Sequence, residues 1–255
     1  MNRIIKIILI DILKSKIVLA YTFILAILSW SSFALEDNSA KGILTILNVI
    51  LFTVPLVSIL FATIYLYNSS EFIELLLSQP IKRRKIWISL FLGLSISMIF
   101  AFFVGAGIPL LINSPDSIGI IMLINGCLIT VIFTALAFLS SILTRDKAKG
   151  IGIAIMTWLF FALLFDGLVL FLLFQFQDYP IENAMVGITA FSPIDLARIQ
   201  ILLHLDVSAM MGYTGAIFKD FFGTAIGLIV SFLLLSLWVI IPFFISLRKF
   251  NKKDL

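Results

Sequence analysis

Long apolar runs separated by short polar segments dominate the pattern along this 255-residue chain. A helix needs about 20 apolar residues to cross a bilayer core of about 30 Å. Six runs are long enough, and they cover residues 17–35, 43–67, 86–112, 119–143, 150–177 and 221–247. The pattern predicts an all-α, polytopic membrane protein with six transmembrane helices in a single transmembrane domain over residues 1–255.

The N-terminal segment has a different pattern, because its polar positions recur at helical spacing. Arg3, Lys6, Asp11 and Lys14 fall on one stripe of a helix, and isoleucines and leucines occupy the other faces. We therefore expect an amphipathic interfacial helix over residues 1–16 that leads into the first span. No short apolar core with a small-residue cleavage site precedes it, so we expect this segment to be retained.

The composition and the placement of charge agree with a membrane protein. Hydrophobic residues make up 62% of the chain and charged residues 13%. Of the 18 lysines and arginines, only Lys41, Arg198 and Lys219 fall on the side of the predicted membrane opposite the termini. Because cytoplasmic loops hold Lys and Arg, we expect both termini in the cytoplasm. This distribution accounts for the net charge of +4 without nucleic-acid binding.

Residues 68–85 connect the second and third spans on the basic side. Asn68, with Glu71 three residues on, has the form of a helix start, and Pro80 predicts the end of that helix. Two interpretations stay open: a solvated loop, or a docking helix that offers both charge signs and exposed leucines to a soluble partner. The residues predicted to make the docking contact are Glu71, Phe72, Glu74, Leu75, Leu76, Pro80, Arg83 and Arg84.

Asp166 is the one ionisable acid well inside a predicted span. A charged side chain at the bilayer centre costs roughly 2.5–3.5 kcal/mol on insertion scales, so it usually faces the protein interior or a water-filled path. Asp166 is therefore either a site for a cation or a conformational switch, or a protonated or hydrogen-bonded carboxyl that ties this span to another.

The outer loop, residues 178–220, is long enough to hold structure of its own. Ser192 has the position of a helix cap, with Pro193 as the first helical residue, and a second helix is predicted near Asp206. We expect a short helical hairpin that rests on, or dips into, the outer leaflet. The residues predicted to contact an outer partner or a cargo are Ser192, Pro193, Asp195, Arg198, His204, Asp206, Met210 and Met211.

The same loop offers side chains that suit copper, yet their spacing does not predict a metal site. Met210 and Met211 are adjacent, so they would point about 100° apart on a helix, and no Met-x-x-Met or Cys-x-x-Cys spacing accompanies them. Arg198 lies three residues after Asp195, which predicts an ion pair on the surface of the helix. Cys127 lies in an apolar run and is expected to act as a small hydrophobic residue.

Two segments resemble a known family. The stretch "EFIELLLSQPIKRRKIWISLFLG" (71–93) resembles the connection between the second and third spans of ABC-2 type permeases, the membrane subunits of type V ABC transporters. The stretch "FSPIDLARIQILLHLDVSAMMGYTGAIFKDFFG" (191–223) is similar to the outer loop of the Nos branch, the permeases of nitrous-oxide-reductase maturation. The likeness covers essentially the whole chain, although Ser192 stands where members of the branch more often carry Asn.

The resemblance implies a bacterial inner-membrane permease surrounded by membrane lipid. Its implied partners are two copies of a cytoplasmic ATPase subunit, a second copy of this chain, and a periplasmic NosD-like protein at the outer face. ATP and Mg²⁺ would be bound by the ATPase subunit, because the Gly-Lys dipeptide of a P-loop occurs nowhere in this chain. No catalytic residue and no cofactor are therefore expected here, and the implied role is in copper-site assembly of nitrous oxide reductase.

Two other functions fit the same spans. One is a generic ABC-2 exporter of lipid, drug or polysaccharide, and the other is a membrane scaffold without ATP coupling. Within the Nos interpretation, the spans hold one carboxyl group and no pathway of Cys or His residues. We therefore expect transmission of a signal, or export of a non-metal sulfur species, in preference to transport of copper ions.

Overall fold

The structure is a computed structural model that describes residues 2–35, 39–176, 187–204 and 225–252. Within these ranges, six helices are long and apolar enough to cross a membrane. They are Lys16–Ala34, Lys41–Asn68, Arg83–Asn113, Ser117–Leu143, Lys147–Leu172 and Gly227–Lys252. The six predicted spans and the all-α fold class are confirmed.

The α-helices are numbered here in chain order. They are α1 (Asn2–Leu13), α2 (Lys16–Ala34), α3 (Ser39–Asn68), α4 (Ser70–Leu77), α5 (Arg83–Phe102), α6 (Ile108–Asn113), α7 (Ser117–Leu143), α8 (Lys147–Leu159), α9 (Phe165–Gln175), α10 (Pro193–His204) and α11 (Ala225–Lys252). A π-helical turn at Phe103–Gly107 joins α5 to α6, and a second one at Phe160–Leu164 joins α8 to α9. Neither π-helical turn was predicted from the sequence.

The core of the bundle lies in the second, third and fourth spans. At least half of the residues in each of these spans are buried within the chain, against less than a third in the other three. α7 is central, because it packs against α3, α5 and α11. The outer spans keep large apolar side chains exposed, such as Phe23 on α2 and Phe171 on α9. Such surfaces suit contact with lipid, in which apolar side chains need no cover.

Small residues let the helices approach closely. A Cβ atom at Gly93 of α5 would lie 2.8 Å from the side chain of Ile8 on α1. At Gly126 of α7, a Cβ atom would lie 2.2 Å from the ring of Phe102. Both distances are below van der Waals contact, so these positions require glycine for the observed packing.

An aromatic cluster joins α5, α7 and α11 near the basic ends of these helices. The Trp87 ring stacks on Phe250, with ring centroids 4.2 Å apart, and makes an edge contact with Phe138 at 4.9 Å. Its indole N–H donates a hydrogen bond of 3.1 Å to the Ser246 hydroxyl. A buried tryptophan with its N–H satisfied contributes apolar burial and a fixed orientation together.

α1 is an amphipathic helix that packs against α5. Ile8 and Ile12 are buried on its inner side, whereas Lys6 and Lys14 are exposed. Asp11 accepts a hydrogen bond of 3.2 Å from the Tyr65 hydroxyl on α3. The protein itself therefore covers one apolar face of α1, and its location in the membrane surface stays a prediction.

Candidate functional site

The exposed helix at the basic end of the bundle is α4. It follows α3 after a single residue, Ser69, and packs against α3 and α5. Ile73 and Leu76 point into the bundle and are each 7% exposed, whereas Leu75 is 65% exposed. Glu71 and Glu74 are exposed as well. α4 is thus fixed by one side and presents two carboxylates and a leucine on the other.

Two predictions about this segment are wrong. Asn68 does not cap α4: α3 runs through Asn68, and the Asn68 side-chain oxygen accepts a hydrogen bond of 2.7 Å from the ammonium group of Lys147. The residue before α4 is Ser69, whose side chain makes no capping bond. Leu76 is not an exposed docking residue, because it lies on the side of α4 that faces the spans.

The remaining predicted docking residues are at the surface or close to it. Phe72 is half-buried and packs against the core, and Pro80 is exposed after the end of α4 at Leu77. Arg83 and Arg84 form the first turn of α5 and are exposed. The structure therefore brings carboxylates, cations and apolar side chains to one surface, as the docking interpretation requires.

A cavity of about 350 Å³ lies behind α4. Glu74 of α4 and Arg145 of the connection between α7 and α8 both line it. The Tyr67 hydroxyl, also in its wall, is 2.7 Å from the Thr144 hydroxyl.

Asp146 caps α8, since its carboxylate accepts a hydrogen bond of 2.8 Å from the backbone N–H of Ala148. The sequence contains this cap as an Asp directly before the first residue of α8, Lys147, but it was not predicted.

α10 lies at the opposite end of the bundle, and its predicted start is confirmed. Pro193 is its first residue, and the Ser192 hydroxyl accepts a hydrogen bond of 3.2 Å from the backbone N–H of Asp195. α10 packs against α7, α11 and α3. Its burial is far greater than a helix resting on the outer leaflet would have, because it is inserted between spans.

This burial changes the interpretation of three predicted contact residues. Ser192, Pro193 and Asp195 are all buried by the chain itself. They are therefore removed from a surface that a separate outer protein could touch. Arg198 keeps 30% of its side chain exposed and remains accessible.

Arg198 joins α10 to the fifth span through a cluster of charges. Its guanidinium lies 2.7 Å from a carboxylate oxygen of Asp166 and 3.5 Å from one of Asp195. The predicted pair with Asp195 is present, but the shorter contact is with Asp166. The Asp166 carboxyl thus joins its span to the outer-side helix α10. One of the two sequence interpretations had expected it to tie this span to another span.

The environment of Asp195 disfavours its charged form. Burial, together with the hydrogen-bonding Asp166 carboxyl beside it, raises the pKa of Asp195 to about 7. The Ser192 hydroxyl and the Arg198 guanidinium act in the opposite direction and are outweighed. The protonated form of the Asp195 carboxyl is therefore favoured to a higher pH than in an ordinary aspartate.

The remaining predicted outer residues are less fully described. His204 is the last residue of α10. Asp206, Met210 and Met211 lie outside the described residues, as does the predicted second helix of the hairpin. Within the described ranges, no group of three His, Cys, Asp or Glu side chains is placed to hold a metal ion.

Six spans, an exposed charged helix at the basic end and an inserted helix at the other define a polytopic membrane subunit. The sequence model of the family described as "ABC-2 family transporter protein" matches residues 3–255. The chain therefore belongs to the ABC-2 family, and it is a permease subunit of an ABC transporter.

One curated relative has a more specific name. It is the "Probable ABC transporter permease protein NosY" of Pseudomonas aeruginosa, which is 28% identical over 173 residues. The aligned part covers 63% of this chain and 63% of that relative. The chain thus matches less than two thirds of the relative's length.

Proposed function

We propose that this chain is the permease of a Nos-type ABC system, in which two copies of the chain act with two cytoplasmic ATPase subunits. α4 receives the motion of the ATPase subunit, and α10 delivers it to a periplasmic partner. The observation that carries the proposal is the division of α4 into a buried side and an exposed charged side. The likeness to the permease named NosY supports the assignment to the Nos branch.

The anchoring of α4 explains why it can transmit a force. Ile73 and Leu76 are 7% exposed, and their contacts with the bundle hold α4 against the start of α5. A rigid element passes on a displacement, whereas a solvated loop absorbs it. The exposed carboxylates of Glu71 and Glu74 and the apolar side chain of Leu75 supply the contact itself.

Two helices, α7 and α11, make contacts at both ends of the bundle. Trp87, in the second turn of α5, contacts Phe138 of α7 and Phe250 of α11. The same two helices, α7 and α11, hold α10 at the opposite end. The Trp238 indole N–H of α11 also donates a hydrogen bond of 3.3 Å to the carbonyl of Ala190, just before α10. A shift of α5 against α7 and α11 therefore has a physical route to α10.

The output we propose is a mechanical signal, or export of a non-metal sulfur species, for copper-site assembly of nitrous oxide reductase. Copper ions need soft or imidazole ligands along their route, and the spans carry no pathway of Cys or His residues. ATP-dependent copper movement into liposomes by the purified complex, abolished by Asp166→Asn, would contradict this part of the proposal.

Charge reversal on α4 tests the docking step. The double variant Glu71→Lys, Glu74→Lys should lose copurification of the ATPase subunit or its coupled ATP hydrolysis, because the contact surface changes from anionic to cationic. The membrane-inserted permease should keep its thermal unfolding midpoint, since both side chains are exposed. Asp116→Lys, at an exposed position on the opposite end, is the control and should retain the ATPase subunit. Unchanged copurification and coupling in the α4 variant would overturn the docking proposal.

A further inference from the structure

The charge cluster at α10 contains more acid than base. Asp166 and Asp195 share one guanidinium, that of Arg198, at 2.7 and 3.5 Å. With both carboxylates ionised, the cluster would carry a net charge of −1. The second π-helical turn, Phe160–Leu164, ends two residues before Asp166. Such turns recur at functional sites.

One carboxylate oxygen in the cluster has no hydrogen-bond partner in the described part of the chain. It is Oδ2 of Asp195, on a side chain that is 7% exposed. A buried, ionised oxygen without a donor is costly. A proton on this carboxyl removes the charge and creates a donor, and the Asp166 carboxylate bound to the same guanidinium is the neighbouring acceptor. The geometry therefore favours one proton shared within the pair.

The helices around α10 do not supply a compensating cation. In the described residues, the charged groups acting on the Asp195 carboxyl are those of Asp166 and Arg198. Lys41 of α3 and Asp116 before α7 belong to the same end of the bundle, but both are exposed. A cavity of about 410 Å³ reaches the cluster, and its lining is neutral: Asn48, Val49, Leu51, Phe52, Thr53, Ala162 and Ile194, with Arg198 as its one charged residue.

We propose that Asp195 is a reversible proton-binding site that links the outer-side helix α10 to the fifth span. The proton comes from water through the cavity beside Arg198, and the reaction is carboxylate plus proton giving carboxylic acid. With the proton bound, Arg198 pairs with Asp166 alone and the cluster is neutral. Without it, two carboxylates repel each other next to one cation, and α10 is held less firmly. This proposal does not depend on the Nos assignment.

Infrared difference spectroscopy of the full chain in lipid nanodiscs tests the site directly. Between about pH 5 and about pH 9, a protonated carboxyl band should disappear with a midpoint near pH 7. Asp195→Asn should remove this band, and Asp116→Asn, an exposed acid at the same end, should leave it unchanged. A titrating band that survives in Asp195→Asn, or the absence of any titrating carboxyl in the wild-type chain, would overturn the proposal.

A second variant keeps the test decisive if Asp195→Asn does not fold. Asp166→Asn removes the neighbouring carboxylate but leaves an amide that can still bond to Arg198. The midpoint of the Asp195 band should then fall by roughly one pH unit or more, because the anionic neighbour that favours the proton is gone. A midpoint that stays near 7 in this variant would show that the two carboxyls do not share a proton and would overturn the proposal.

Discussion

α4 and α10 are both short helices with an acidic residue in the first turn and several aliphatic residues, yet they differ in how deeply the bundle buries them. α4 has a narrow buried side, Ile73 and Leu76, and leaves its carboxylates in the open. α10 is inserted between spans, and its Asp195 carboxyl is buried beside Arg198. Similar composition thus gives an exposed charged surface at one end and an internal charge cluster at the other. Burial, and not sequence alone, decides which role a charge has.

The largest effect is expected from Arg198→Ala. This substitution leaves Asp166 and Asp195 without their shared cation. We expect it to lower the free energy of unfolding by about 3 kcal/mol. This value is at the low end for buried ion pairs because Arg198 is partly exposed to solvent. Arg84→Ala, an exposed arginine at the other end, should change it by less than about 0.5 kcal/mol. Denaturant unfolding in detergent gives both values. Equally small changes in the free energy of unfolding for both variants would show that Arg198 contributes no more to stability than an exposed surface charge.

The two adjacent leucines of α4 separate anchoring from docking. Leu76→Ala should lower the free energy of unfolding by about 2–3 kcal/mol, since it deletes a buried side chain. Leu75→Ala should leave stability within about 0.5 kcal/mol but reduce the affinity for the ATPase subunit. Thermal unfolding and copurification measure the two effects. The reverse assignment, with Leu75 needed for stability, would contradict the orientation of α4.

The pH dependence of stability should follow Asp195. Its pKa is about 7 in the folded chain and about 3.9 when unfolded, so the folded state binds more protons between these values. Its contribution to stability is therefore present below about pH 4 and is lost as pH rises to about 7. From about pH 5 to about pH 7, we expect a loss of about 2 kcal/mol, which Asp195→Asn should remove. Stability that is flat over this range, or an unchanged slope in the variant, would contradict the burial of an uncompensated carboxyl.

The sequence predicts the spans well because bilayer thickness imposes a length that apolar runs must meet. The helix start at Ser192 was also predictable, since a cap and its backbone donor are local. The wrong cap at Asn68 shows the limit of such patterns. The "N-x-x-E" form fits, but α3 continues through Asn68, whose side chain accepts a hydrogen bond from Lys147 at the start of α8.

The ion-pair partner of Asp166 could not be predicted from residues close to it in the sequence. Arg198 is 32 residues away along the chain, and the intervening segment crosses from a span into the outer loop. Hydropathy places α10 near the membrane but does not reveal that the spans enclose it. The π-helical turn before Asp166 could not be predicted, because its residues, Phe-Phe-Ala-Leu-Leu, include no proline or glycine that would indicate an irregular turn.

The central claim is that the exposed side of α4 contacts the ATPase subunit, and site-specific crosslinking tests it most directly. In a Cys127→Ser background, a thiol-reactive crosslinker on Leu75→Cys should capture the coexpressed ATPase subunit. The same reagent on Leu35→Cys should not, although Leu35, which follows α2 at the other end, is 82% exposed against 65% for Leu75. Capture through Leu75→Cys alone is the predicted result. Capture through Leu35→Cys, or through neither position, would contradict the account.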